Sequence, residues 1–260
     1  MNEDKILHYQ EAGRGKPVLL IHGFPFSNRM WKPQLQELGS QTRLIAPDLP
    51  GFGKTPIPSA PPSMDRYAQD CADLLDSLNI TDPVILVGLS MGGYIALAFA
   101  GLFPERLRGL MLLSTRAGAD SEEGKAGRDK TISQVRNSGT AELTDGLFAK
   151  LLAETTYEAK PEVTEELKEI MREITPEGVI GALAAMRDRS DSTEQLKQIN
   201  VPTLIVHGQD DRLIPSSEAQ VMAKEIRSNE LHLIDNAGHL PNLEQTEEFN
   251  QIVRDFLAKF

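Results

Sequence analysis

Three residues at widely separated places have the types needed for acyl transfer: Ser90, Asp211 and His239. A serine hydroxyl is a weak nucleophile at neutral pH. It needs a base to take its proton, and the base needs an acid to fix its tautomer. Ser90 is the middle residue of Gly88-Leu89-Ser90-Met91-Gly92, preceded by the apolar run Val84-Ile85-Leu86-Val87 and followed by Tyr94-Ile95-Ala96-Leu97-Ala98. That order predicts a strand buried on both faces, a sharp turn and a packed helix. The turn forces the serine into a strained backbone and lifts it clear of the sheet, at the positive end of the helix. Glycines flank it because side chains there would collide as strand and helix approach. A bare G-x-S-x-G arises by chance in roughly one chain of this length in ten. The flanking strand and helix, more than the five letters, carry the reading.

Asp211 and His239 each sit in a loop just after a predicted strand: Pro202–His207 runs into Gly208-Gln209-Asp210-Asp211, and Leu231–Ile234 into Asp235-Asn236-Ala237-Gly238-His239. Functional groups of open parallel sheets gather at the carboxyl ends of the strands, and the chain order Ser…Asp…His suits an elbow serine. Two alternatives stay open at this point: His207, which ends its strand, in place of His239, and Asp210 in place of Asp211. His8 and His232, on strands, read as structural, and Asp48 reads as a brace for its own loop. Attack on a carbonyl also creates an oxyanion that needs pre-oriented N–H donors. The backbone N–H of Met91, just after the serine, is one. The loop His22-Gly23-Phe24-Pro25, after an earlier apolar run, supplies the other, assigned to Phe24, with His22 bonding within the loop.

The elements that must position these residues can be read from periodicity. Strands are predicted at Ile6–Gln10 (a short edge), Pro17–Ile21, Thr42–Ala46, Val84–Val87 and Leu110–Leu113, with helices between them, among them one from Ser63 to about Leu78. Repeated strand–helix–strand units predict an α/β fold around a mostly parallel, doubly wound sheet with helices on both faces. From Arg116 to about Ser190 the rhythm changes to helical patterns only, beginning with a Gly/Asp/Glu-rich loop over Ala117–Arg128; helices are predicted over Pro161–Ile174 and from Thr175, with Thr175 as N-cap. The predicted organisation is a core of residues 1–115 and 191–260 with a helical cap, 116–190, inserted between strands as a lid.

Composition bounds the partners. The 260 residues carry a formal net charge of −11, which argues against nucleic acid or an anionic membrane. Cys71 is the single cysteine, so no intrachain disulfide forms, and a buried apolar role is expected of it. The polar, acidic N-terminus resembles no signal peptide and no segment has the length of a membrane span, so a cytoplasmic protein is expected. Metal-ligand spacings are missing, and Gly51-Phe52-Gly53-Lys54-Thr55 fails the phosphate-loop pattern. No metal and no cofactor are expected.

Taken together, HGFP, APDLPGFGKT, LVGLSMGGYIALAFA, LMLLSTRAGADSEEGKAGR, PTLIVHGQDDRLIP and NAGHLP resemble the α/β-hydrolase superfamily, within it the small bacterial carboxylesterases and the 3-oxoadipate enol-lactonase-like group. The resemblance implies Ser90 as nucleophile, Asp211 as acid, His239 as base, Phe24 and Met91 as oxyanion donors, and a helical cap after the sixth core strand of the superfamily. It also implies two antiparallel strands at the start of the core, where this N-terminus has room for little more than one. The function expected is a cofactor-free carboxylesterase for small esters, as a monomer or small homo-oligomer. Enol-lactone hydrolysis, C–C hydrolysis and perhydrolysis use the same triad, and a triad-retaining small-ligand receptor is the rival outside enzymes. A substrate with a free acid needs a buried cation. Arg116, Arg187 and Arg189 are candidates, but read better as solvated helix-face charges, which places simple esters first.

Overall fold

In the computed structural model, residues 7–57 and 59–260 are described. Seven strands form one sheet: β1 (Tyr9–Ala12), β2 (Pro17–Ile21), β3 (Arg43–Pro47), β4 (Val84–Leu89), β5 (Leu107–Leu113), β6 (Thr203–Gly208) and β7 (Asn229–Ile234). Their order is β1-β3-β2-β4-β5-β6-β7. β1 runs antiparallel to β3 and every other pair is parallel. The predicted edge strand exists but is displaced toward the C-terminus; its expected first residue, Ile6, lies outside the described residues. One strand, Tyr9–Ala12, therefore precedes β2 among the described residues. The helical segment predicted as a cap after the superfamily's sixth strand accordingly follows the fifth strand counted here.

Both faces of the sheet are covered, which is why its strands read as continuous apolar runs. Alternate residues feed opposite cores: Leu19 and Ile21 of β2, with Val84 and Leu86 of β4, join α2 (Met64–Ser77) and α3 (Met91–Leu102) on one face. Val18, Leu20, Ile85 and Val87 join α1 (Lys32–Leu38) and the C-terminal helix Thr246–Leu257 on the other. Cys71 is fully buried in the first of these cores, where desolvation pushes its thiol far up.

Among the described residues, five α-helices, a short 3-10 helix (Glu194–Gln198) and no strand lie between β5 and β6: the α-helices are α4 (Glu122–Ser138), α5 (Ala141–Leu151), α6 (Glu154–Ala159), α7 (Pro161–Arg172) and α8 (Pro176–Arg187). Thr175 caps α8 as expected, its side chain accepting from the Gly178 N–H. The stretch read as a loop over Ala117–Arg128 is in its second half the start of α4. Ser121 caps it, and Glu122 and Glu123 in the first turn suit the positive end of the helix. After β6 come α9 (Ser217–Glu225), β7, a short α10 (Pro241–Glu244) and α11 (Thr246–Leu257).

Candidate active site

The elbow has the predicted geometry. Ser90 takes φ 55° and ψ −114°, a left-handed conformation that a residue with a Cβ rarely adopts. It persists because the surroundings hold it: the Ser90 N–H continues the sheet ladder to the Leu113 carbonyl at 2.9 Å. The Ser90 carbonyl starts α3 by accepting from the Gly93 N–H at 2.9 Å and also accepts from the Thr115 hydroxyl at 2.8 Å. A Cβ on Gly88 would lie 2.2 Å from the Gly92 carbonyl oxygen, and one on Gly92 would lie 2.3 Å from that of Ile21. Strand, turn and helix close up to a spacing that only glycine allows.

His239 is buried, and its Nδ1 lies 2.8 Å from Asp211 Oδ2. An ionised carboxylate only accepts, so Nδ1–H donates and Nε2 keeps its lone pair. Asp211 Oδ1 accepts the backbone N–H groups of Leu213 (2.8 Å) and Ile214 (3.0 Å). Burial pushes this carboxyl up, but the electrostatic attraction of His239, the hydrogen bonds from both histidines and the Ile214 N–H outweigh it and hold the group well below the usual carboxylate range.

The two alternatives left open by the sequence, His207 and Asp210, stand apart from the cavity that holds Ser90. His207 is fully buried behind Asp211, with Nε2 2.8 Å from the Ile214 carbonyl and 3.2 Å from Asp211 Oδ2; it supports the carboxylate and does not line the cavity that holds Ser90. Asp210 is exposed, and the carboxylate hydrogen-bonded to His239 is that of Asp211. Asp48 braces its loop as expected, accepting from the Asn28 N–H at 2.8 Å and the Lys54 N–H at 2.9 Å. His22 also behaves as read: Nδ1–H donates to the Gly23 carbonyl at 2.9 Å, Nε2 accepts from the Leu49 N–H at 3.0 Å, and burial lowers its pKa. His8, by contrast, contacts Asp48 across 2.8 Å.

Ser90, His239 and Phe24 line one cavity of about 600 Å³. Asp211 stands behind His239 and Met91 follows Ser90, its side chain buried. The Met91 N–H, first in α3, has no intrahelical acceptor, and among the described residues neither it nor the Phe24 N–H has a hydrogen-bond partner. The roof of the cavity comes from the five-helix segment. Gly124, Gly127, Arg128 and Thr131 line it from α4, Leu143, Leu147 and Lys150 from α5, and Leu183 and Met186 from α8. Their i, i+3, i+4, i+7 spacing was a readable signal for a shared face; that the face overlooks Ser90 was not.

One expectation about charge is corrected. Arg187 does sit at the surface, paired with Asp188 at 2.7 Å, but Arg189 and Arg116 are not solvated helix-face charges. The buried Asp120 draws them in together with Arg128. Its Oδ1 accepts from Arg189 at 2.8 Å and from Arg116, and its Oδ2 from Arg128. Arg189 also stacks over Tyr94, 4.1 Å from the ring centroid. Burial raises the Asp120 carboxyl, yet these arginines override it and hold the pKa at about 2. Arg116, Arg128 and Lys150 face Asp120 alone among the charged acidic and basic side chains lining the cavity, so its wall carries a positive excess. No group of three or more His, Cys, Asp or Glu among the described residues could hold a metal ion.

An elbow serine at the carboxyl edge of a doubly wound sheet, opening on the same cavity as a carboxylate-bound histidine, is the arrangement of hydrolases built on this fold. A family model described as alpha/beta hydrolase fold matches residues 16–246, and the chain belongs to that family. Among solved structures, a thermophilic esterase from Thermogutta terrifontis, with malate bound, superposes with a TM-score of 0.95 at 40% identity, covering 97% of this chain and 93% of that one. A 2-hydroxy-6-oxo-2,4-heptadienoate hydrolase from Pseudomonas putida is 33% identical, over 95% of this chain and 91% of the relative. The 3-oxoadipate enol-lactonase 2 of Acinetobacter baylyi is 26% identical, over 99% of this chain and 95% of the relative. The protein is thus a hydrolase-family chain with relatives named as an esterase, a 2-hydroxy-6-oxo-2,4-heptadienoate hydrolase and an enol-lactonase.

Proposed function

We propose that the protein is a serine carboxylesterase for small esters, with residues 116–190 as its cap. The observation that carries the reading is that Ser90 and the Asp211-bound His239 line one cavity with largely aliphatic walls, Leu143, Leu147, Leu183, Met186 and Leu213. His239 Nε2 removes the Ser90 hydroxyl proton as Oγ attacks the ester carbonyl, and Asp211 holds the imidazolium that forms. The oxyanion accepts from the N–H groups of Phe24 and Met91. His239 then gives its proton to the departing alkoxide, leaving an acyl-serine. Water, deprotonated by His239, attacks the acyl carbonyl, and the proton returns to Ser90 as the acid leaves. Each proton and electron pair is supplied by these residues, the ester or water, so the cycle requires no cofactor.

Steady-state hydrolysis of p-nitrophenyl esters from acetate to decanoate tests the proposal, with Ser90→Ala and His239→Ala alongside. Turnover is expected to peak at short chains and to fall by a factor of about 10³ or more in either variant. Near-wild-type rates in a folded variant refute the assignment. A second reading, hydrolysis of an enol-lactone or a C–C bond in an acid-bearing substrate, is favoured by the positive wall of Arg116, Arg128 and Lys150. Stoichiometric acylation of Ser90 with little ester turnover would select it.

A further inference from the structure

Glu244, at the end of α10, is fully buried, and its carboxylate touches both sides of His239. Oε1 accepts the N–H of Gly238 at 2.9 Å and that of Leu240 at 3.1 Å. Between them, the His239 N–H donates to the Leu151 carbonyl at 2.8 Å. Oε2 accepts the Ala153 N–H at 2.7 Å and the Thr156 hydroxyl at 2.9 Å. Every backbone donor of the loop Gly238-His239-Leu240 is thus committed, and the four groups on Glu244 come from two segments far apart in sequence. One is the histidine loop. The other is the turn between α5 and α6 together with the first turn of α6, inside the helical insertion. The approach is too close for any side chain at position 238, where a Cβ would lie 2.6 Å from the Ala153 nitrogen.

A buried carboxylate with four donors and no charged partner on its oxygens costs free energy to desolvate. A neutral residue could fill the volume, but no neutral side chain accepts four hydrogen bonds through two oxygens in this geometry. We infer that Glu244 is a positioning residue for His239, fixing the imidazole relative to Ser90 by clamping its backbone to the insertion. The inference rests on His239 being the base. Asp211 fixes the ring from its Nδ1 side, while Glu244 fixes the peptide that carries the ring. A base displaced by about 1 Å loses on the order of 100-fold in rate while substrate binding is little changed.

The test is Glu244→Gln, measured with Thr156→Val, which removes one hydroxyl donor at nearly constant volume. Both are assayed for ester hydrolysis beside wild type and His239→Ala, and the downfield proton resonance of the His239 Nδ1–H is followed by NMR. In Glu244→Gln the amide NH₂ points a donor at donors. Expected is a fall in kcat of roughly ten- to a hundred-fold with KM within about threefold, and a shifted or broadened resonance. Thr156→Val gives the same pattern, smaller, and decides the matter if Glu244→Gln does not fold. Wild-type kcat with an unmoved resonance in a folded variant overturns the positioning role while leaving the triad standing. Retained turnover in His239→Ala would instead remove the reading on which the role rests.

Discussion

Gly92→Ala tests whether the closeness of strand and helix sets the site. The added Cβ would lie 2.3 Å from the Ile21 carbonyl oxygen and 2.9 Å from that of His22. Ordinary contact begins at 3.4 Å, so a gap of about 1 Å must open against backbone atoms, which cannot rotate away. β2 is held on both sides by parallel ladders to β3 and β4, so the strain falls on the elbow and on the loop that carries Phe24. Overpacking of this kind costs about 1–3 kcal/mol, partly offset by the roughly 0.5–1 kcal/mol gained from replacing a helical glycine. A net cost near 1 kcal/mol corresponds to a Tm lower by about 2–4 °C for a chain of this size. The activity effect is larger, because the shift separates the Met91 N–H from the Phe24 N–H, and a lost oxyanion donor costs about 10²–10³ in kcat. Calorimetry and initial rates on p-nitrophenyl butyrate measure both. Gly146→Ala in α5, whose Cβ meets nothing within 4 Å, is the control: it gains up to about 1 kcal/mol of helix propensity with rates unchanged. A Gly92→Ala enzyme that melts and turns over like wild type refutes the reasoning. One that melts early but keeps its kcat refutes the link between elbow spacing and the oxyanion donors.

Two other outcomes follow from named contacts. Ser90→Gly is expected to raise Tm, because φ 55° and ψ −114° cost a residue with a Cβ about 1–3 kcal/mol, while Ser90→Ala, which keeps its Cβ, is expected to leave Tm near wild type; a Ser90→Gly chain that melts below wild type would show the turn to be unstrained. Asp120→Asn removes the acceptor shared by Arg116, Arg128 and Arg189 and is expected to cost about 3 kcal/mol. Because the Asp120 pKa is lowered from 3.8 to about 2, its stabilisation is fully present above pH about 4 and fades as pH falls toward 2. Urea midpoints of wild type and variant should therefore converge over that window, and a constant difference down to pH 2 would refute the assignment.

The sequence made legible whatever is written within one loop and its flanking elements. Apolar runs gave the strands, the Gly–Ser–Gly spacing gave the elbow, and the loops after β6 and β7 gave Asp211 and His239 as partners now found 2.8 Å apart. His207 could not be placed from its pattern, since its role depends on a contact with Asp211 and the Ile214 carbonyl made only after folding. Arg116 and Arg189 were misread for a related reason. An arginine on a charged helix is normally solvated, and nothing local reveals that Asp120, in what read as an acidic loop, turns inward and gathers three of them. Glu244 was invisible as well: a glutamate just after a Leu-Pro turn reads as a surface residue until the insertion is folded over it.

Two buried carboxylates flank the same histidine and differ in what compensates them. Asp211 has the imidazole of His239 as an ionisable partner besides its hydrogen bonds, and its pKa lies well below the usual range, so the stability it contributes fades as pH falls from the ordinary carboxylate value toward that depressed one. Among the described residues, Glu244 meets neutral donors alone at its carboxylate oxygens, and Lys160 binds its backbone carbonyl instead. Burial therefore dominates and raises its pKa above 4.5. Its charge is a cost at neutral pH that acidification relieves, but the added O–H then points into a ring of donors. Acid thus reaches the Glu244 carboxylate of the backbone clamp before it reaches the Asp211 carboxylate. The ring of His239 stays bonded to its acid in a pH range where the peptide that carries it has begun to lose its anchor in the insertion.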